Sequence, residues 1–212
     1  MPEPAPSADA RREHWEAVYR DKPDAGLSWR QEDPALSFSL ALRLAGPADA
    51  VVDIGAGESA LAGRLARAGY GAVTALDISA SAIERARARA GGGADAVRWV
   101  VGDVLAAPDL GAAALWHDRA VFHFLTDEQD RRRYAALAAQ TVIPGGHAVI
   151  AAFALDGPER CSGLPVRRYS AEALAKEFAP AFELVSSERE THTTPWGKDQ
   201  PFTYAVLRRV RA

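Results

Sequence analysis

Three places in the sequence combine acidic residues with glycines in a way that could do chemistry. Asp53, Gly55 and Gly57 form an Asp-x-Gly-x-Gly pattern closing the apolar run that begins at Val51. Asp77 follows Gly57 by twenty residues at the end of a second apolar run. Gly102 and Asp103 close a third. Glycines in a tight turn adopt positive φ and let a ligand come close to the backbone. A helical pattern follows Glu58 and Ser59 at once, and the free N–H groups of a helix start face the same place. In open α/β sheets, ligand sites form at turns of this kind.

A second group is Trp116-His117-Asp118-Arg119-Ala120-Val121-Phe122-His123-Phe124-Leu125. Histidine titrates near neutrality, so His117 or His123 could take a proton. Asp118 could bind or polarise an amine, and Arg119 could hold a substrate. Trp29, with Arg30, is a candidate lid over a site, and Trp196 could shape a substrate pocket. His14, His147, His192 and Cys161 lack metal-ligand spacing, so no metal is expected.

The elements that must position these residues follow from periodicity and turn chemistry. Residues 1–10 are rich in Pro and Ala and read as a frayed tail. A short helix is expected over 11–19, carrying Trp15, Val18 and Tyr19, then a loop over 21–30. Asp33 as cap and Pro34 at the first position start a helix that runs to Gly46. Strands are expected at 50–54, 72–76 and 97–101, with a weak strand at 112–116. Helices fall between them: one stopping at Gly69, one opening with Ser81 and Glu84 as a capping box, and one opening with Thr126 and Gln129. After the turn 144–146 come a strand at 147–153 and a helix over 171–178 capped by Ser170. Two closing strands at 182–189 and 202–208 are joined by a hairpin near 193–197. Alternating strands and helices predict a parallel, doubly wound α/β sheet. The helix-free pair at the end predicts an antiparallel edge.

At 212 residues, one domain is the expectation. The net charge of −3 offers no large nucleic-acid footprint. The single Cys161 fits a reducing compartment. No stretch is long and apolar enough to span a bilayer, and no signal-peptide pattern opens the chain. A cytoplasmic protein without membrane or nucleic-acid partners is expected, with a monomer favoured.

In combination, Asp53-x-Gly55-x-Gly57, Asp77, Gly102-Asp103 and the closing strand pair resemble the class I S-adenosylmethionine-dependent methyltransferases. The resemblance covers roughly residues 35–210. The run from Trp116 to Leu125, and the segments Ser162-Gly163-Leu164-Pro165 and Trp196-Gly197, are similar to a bacterial subgroup of small methyltransferases. The resemblance implies a Rossmann-like sheet of seven strands in the order 3-2-1-4-5-7-6, the last antiparallel. It implies S-adenosylmethionine as cofactor and a catalytic core over 47–212, with residues 11–46 as a helical cap. Gly55, Ala56 and Gly57 would border the methionine part of the cofactor, and Asp53 its amino group. Asp77 would accept from the ribose hydroxyls, and Ile78 would lie on the adenine. Gly102, Asp103 and Val104 would take the adenine edge, with His117 and Trp29 beside the methyl centre. His117, Asp118 and His123 are the catalytic candidates, and Trp29, Arg119 and Trp196 the candidates for holding the acceptor.

The residue types suit that chemistry independently. One carboxylate can accept from both hydroxyls of a diol. Glu58, at a helix start where a pyrophosphate would want glycine, is expected to repel phosphate. The acceptor is expected to be a small molecule, with protein lysine methylation as the alternative. Outside the class stand a NAD-type oxidoreductase and a non-catalytic nucleotide-binding module, because an acid like Asp77 also serves a dinucleotide.

Overall fold

The computed structural model describes residues 6–21 and 26–210. Residues 1–5 of the expected tail, and Lys22, Pro23 and Asp24 of the expected loop, lie outside the described residues. The first helix, α1 (Ala8–Asp21), starts inside the span read as tail. It is followed by α2 (Ala35–Leu44), β1 (Val51–Ile54), α3 (Leu61–Arg67), β2 (Val73–Asp77), α4 (Ala80–Ala90) and β3 (Val97–Val101). Then come β4 (Ala113–Arg119), α5 (Glu128–Thr141), β5 (Val142–Phe153), α6 (Ala171–Phe178), β6 (Phe182–Thr193) and β7 (Asp199–Arg209). A two-stranded hairpin of Arg160–Cys161 with Leu164–Pro165 sits apart.

The seven strands form one sheet in the order β3-β2-β1-β4-β5-β7-β6. β1 to β5 are parallel, and β7 runs antiparallel to both β5 and β6. The expected order and the antiparallel last strand are both present. The order reverses between β1 and β4, and this switch point opens a crevice at the carboxyl ends of the strands.

Both faces of the sheet are buried, so alternate residues of a strand feed two cores. Val52, Ile54 and Trp116 pack with Tyr134 of α5 and Phe178 of α6 on one face. Val51 and Leu115 pack with Leu40 of α2 and Leu61 of α3 on the other. β4 pairs with β1 so that Asp53 stands opposite His117 and Ile54 opposite Asp118. Asp53 and His117 therefore share the α2 face, while Asp118 points to the α5 face. The weak strand expected at 112–116 runs three residues further, and that extension places His117 and Asp118 on opposite sides.

Three helix starts differ from expectation by a residue or two. Pro34, not Asp33, is the cap of α2, and it has no side-chain acceptor. Asp33 instead pairs with Arg64. Ser79, not Ser81, caps α4, accepting from Ala82 N–H at 3.1 Å, and the hydroxyls of both serines donate to Glu16. Asp127 caps α5 through Gln129 N–H at 2.8 Å and Asp130 N–H at 3.2 Å. Carboxylate and hydroxyl compete for the same backbone donors, and the charged acceptor makes the stronger bond. Ser170 caps α6 as expected.

Candidate functional site

The turn after β1 is built by glycines where no other residue fits. Gly55 and Gly57 have φ of +60° and +53°. A Cβ on Gly55 would collide with Val121, and one on Gly57 would reach 2.5 Å from the Tyr19 hydroxyl. The turn is braced from β2. Asp77 accepts from Gly57 N–H and from Ser79 N–H, each at 2.8 Å. Burial pushes the Asp77 carboxyl up to about 6, partly opposed by those two amide bonds.

Two cavities adjoin at this turn. The larger, about 820 Å³, is bordered by Gly55, Asp77, Ile78, Gly102, Asp103 and Val104 on the strand side. Arg11, Trp15 and Tyr19 of α1 cover it, and Phe124 and Cys161 complete the wall. The smaller, about 500 Å³, is bordered by Ser37, Asp53, Ala56, Gly57, Glu58 and His117. Trp29, Gly55 and Arg119 border both. Each residue expected at the cofactor borders one cavity or the other.

Inside the smaller cavity, Asp53 accepts from His117 Nδ1 at 2.7 Å. His117 Nε2 shares a hydrogen bond of 2.9 Å with the Ser37 hydroxyl of α2. The second Asp53 oxygen is buried without a hydrogen-bond partner. Buried carboxylate oxygens are satisfied as a rule, so this one is an acceptor in want of a donor.

Helix α1 is fastened over the larger cavity at two points. Arg11 donates to one oxygen of Asp103 through Nη2 at 2.7 Å and Nε at 3.1 Å. The other Asp103 oxygen accepts from Leu105 N–H at 2.9 Å. Glu16 accepts from the hydroxyls of Ser79, at 2.6 Å, and Ser81. These bonds hold the Glu16 carboxyl below the usual range. Trp15 packs edge-on to Trp29 at 5.8 Å and to Phe124 at 4.9 Å. Burial, with Asp77 nearby, pushes the Tyr19 hydroxyl well up, so it stays protonated.

Several expected roles need correction. Asp118 borders neither cavity. It is fully buried and accepts from Val121 N–H at 2.8 Å, Phe122 N–H at 3.0 Å and the Tyr134 hydroxyl. Its bonds hold the turn after β4, and its complete burial away from both cavities leaves it out of an amine's reach. His123 is also outside both cavities, packed between Phe124 and Phe153. Burial, with Arg119 nearby, pushes its imidazole down to about 3, so it stays neutral and is a weak base. Trp196 borders neither cavity and is 54% exposed in the β6–β7 connection. Glu58 lies within 4 Å of Arg30, Arg85 and Arg89, at 3.4, 3.7 and 3.8 Å. Its charge at this helix start therefore stands among guanidinium groups rather than alone.

Sequence reasoning missed Arg11, Glu16 and Ser37. Arg11, Trp15 and Tyr19 recur every four residues and so share one helix face. That stripe, with a cation in it, was the available signal. Nothing local marks Ser37. Among the described residues no cluster of three His, Cys, Asp or Glu is placed to hold a metal ion. No helix among them is long and apolar enough to cross a membrane.

Residues 51–146 match the family model described as a methyltransferase domain. No curated protein matches the chain. Solved structures match over nearly its whole length. One is a methyltransferase dependent on S-adenosylmethionine from Anabaena variabilis ATCC 29413, with a TM-score of 0.77 at 18% identity. The match covers 99% of this chain and 98% of that one. Another is the 1,6-didemethyltoxoflavin-N1-methyltransferase of Burkholderia thailandensis, solved with 1,6-didemethyltoxoflavin and S-adenosylhomocysteine bound. Its TM-score is 0.76 at 22% identity, over 100% of this chain and 94% of that one. A third comes from work on the conversion of a disulfide bond into a thioacetal group during echinomycin biosynthesis. It has a TM-score of 0.75 at 24% identity, over 94% and 92% of the two chains.

Proposed function

We propose that this chain, a class I S-adenosylmethionine-dependent methyltransferase by its matched domain and its fold, methylates a small molecule by direct displacement. The observation that carries the acceptor reading is the cover. α1 is tied to Asp103 and to Ser79 and Ser81, with Trp15, Tyr19 and Trp29 roofing the larger cavity. A cavity roofed in this way suits a small guest better than a folded partner.

The residues present fit the cofactor. The buried Asp53 oxygen without a partner offers an acceptor to an ammonium group. The glycine turn gives backbone where a side chain would clash. The remaining lone pairs of Asp77 suit a diol, and Ile78 and Val104 give an apolar border beyond it. When bound, S-adenosylmethionine supplies an activated methyl group on a sulfonium centre. Trp29 borders both cavities, so an aromatic ring stands beside the place that cation would take.

The chain's own contribution is then placement and exclusion of water. His117 has both ring nitrogens engaged, by Asp53 and Ser37. Its part is to orient Asp53. Arg119 fixes the Trp29 segment by donating from Nη1 to the Trp29 carbonyl at 3.0 Å.

The test has two arms. Calorimetry with S-adenosylhomocysteine should show binding that NADH does not match. Incubation with labelled S-adenosylmethionine should move label into small molecules of a cell extract. Label appearing only on protein lysines would replace the small-molecule reading with the protein one. S-adenosylhomocysteine binding without any transfer would leave a binding module.

A further inference from the structure

Arg119 is the last residue of β4, and its side chain is only 10% exposed. Its guanidinium is pinned on three sides. Nε donates to the Tyr204 hydroxyl at 3.1 Å, and Nη1 donates to the Trp29 carbonyl at 3.0 Å. The plane lies over the Phe202 ring, 4.2 Å from its centroid. Nη2 is buried and has no hydrogen-bond partner among the described residues. Arg119 borders both cavities, at the place where they meet.

Five donors in a rigid fork are seldom left partly unused inside a protein. Glu190 lies 3.6 Å from Nε, on the Tyr204 side, and also accepts from Tyr204 and from Gln31, each at 3.0 Å. Its charge is shared there, and it does not satisfy Nη2. Much of the wall of the larger cavity is apolar or aromatic, with Trp15, Trp29, Val121, Phe124, Leu125 and Cys161, and its other charged residues are Arg11, Asp77 and Asp103. Arg11 is already engaged by Asp103, so a pinned guanidinium with one free amino edge, beside an apolar stretch of wall, matches a carboxylate on an apolar body. Bonds from a charged donor to a charged acceptor are about twice as strong as neutral ones.

We propose that the methyl acceptor is a small carboxylic acid whose carboxylate binds Nη2 of Arg119. This rests on the small-molecule reading above and names its substrate class. The cofactor carries a carboxylate of its own, so the test must separate the two sources.

The probes are phenylacetate and hexanoate against phenylacetamide and hexanamide. Binding is read by tryptophan fluorescence on the full chain, with and without saturating S-adenosylhomocysteine. The acids should bind the wild type at least about tenfold more tightly than the amides. Arg119→Gln should erase that preference, and any loss of S-adenosylhomocysteine affinity through the Trp29 segment should be shared equally by 5′-methylthioadenosine. The double variant Arg119→Gln/Glu190→Gln removes both charges, leaves no unpaired carboxylate, and should erase the preference equally. Equal or absent binding of acid and amide by the wild type overturns the proposal. So does a preference that survives in both variants. A third overturning result is weaker S-adenosylhomocysteine binding in Arg119→Gln with unchanged binding of 5′-methylthioadenosine, which lacks the carboxylate. That would give Nη2 to the cofactor. Failure of the wild type to bind S-adenosylhomocysteine would instead remove the methyltransferase reading, whatever the acids do.

Discussion

Asp53 and His117 face each other across neighbouring parallel strands, with Oδ1 2.7 Å from Nδ1. The pair leaves one carboxylate oxygen directed at no protein donor. Asp53→Asn removes the charge and replaces one acceptor with a donor. Affinity for S-adenosylhomocysteine should fall by about 1.5–3 kcal/mol, the scale of a hydrogen bond to a charged group. Affinity for 5′-methylthioadenosine, which has no amino acid part, should not change. Calorimetry with both ligands checks this, and equal losses for the two would sink the ammonium assignment.

Asp77 makes cofactor binding pH-dependent in a stated direction. Its carboxyl is raised to about 6 by burial. A ligand that donates hydrogen bonds needs the ionised form, so ligand and proton compete. Affinity for S-adenosylhomocysteine should be flat above about pH 7 and weaken towards about tenfold per unit below pH 6. Asp77→Asn should bind more weakly at pH 7 and show no such slope. Titration calorimetry between pH 5 and 8 decides, and a wild-type affinity constant over that range rejects the ribose role.

Gly57 and Tyr19 are coupled through space. Gly57→Ala places a methyl 2.5 Å from the Tyr19 hydroxyl and holds alanine at a φ of +53°. The left-handed backbone alone costs roughly 1–2 kcal/mol. The clash adds to it, because Tyr19 is buried and cannot retreat freely. In a Tyr19→Phe background the clash is gone and only the backbone cost should remain. Denaturant melts of the four proteins give the coupling energy. Strict additivity would show that α1 does not sit on this turn in solution.

The sequence carried the strand-end groups and not what closes over them. Asp53, Asp77 and Asp103 end strands whose apolar runs are unmistakable, and a parallel sheet brings such ends together by its topology. The seven-strand order followed from the resemblance that those groups carried. His117 and Asp118 were read as neighbours in one site, because neighbours in sequence look equivalent until the strand is known to continue through them. Once β4 extends to Arg119, the two-residue period separates them. Ser37, Arg11 and Glu16 reach the site from helices that pack on it from elsewhere, and their partners are 80, 92 and 63 residues away. Contacts of that separation leave no local pattern. Trp196 misled in the other direction: an aromatic residue in a loop suggested a pocket wall and is half exposed instead.

His123 should make the protein acid-sensitive, and the sign can be worked through. Its folded pKa, about 3, lies below the ordinary value of 6.5 because burial disfavours the imidazolium. The unfolded chain therefore binds a proton that the folded chain refuses. The stability this group supports is fully present above pH 6.5 and is lost as pH falls from there towards 3. At about 1.4 kcal/mol per unit, the loss between pH 7 and pH 5 is about 2 kcal/mol. Asp77 and Asp118 act oppositely, since burial raises both to about 6 and their protonation favours the folded chain as pH falls towards 4. They are unchanged in His123→Gln, so they cancel in a comparison of that variant with the wild type. Gln has an acceptor for the Phe153 N–H that His123 Nδ1 meets at 3.4 Å. The variant should be less stable than the wild type at pH 7, and the gap should shrink or reverse by about 2 kcal/mol at pH 5. Urea melts at the two pH values measure it. A gap that stays constant would mean that His123 takes up its proton in the folded protein, and so is open to solvent rather than packed between Phe124 and Phe153.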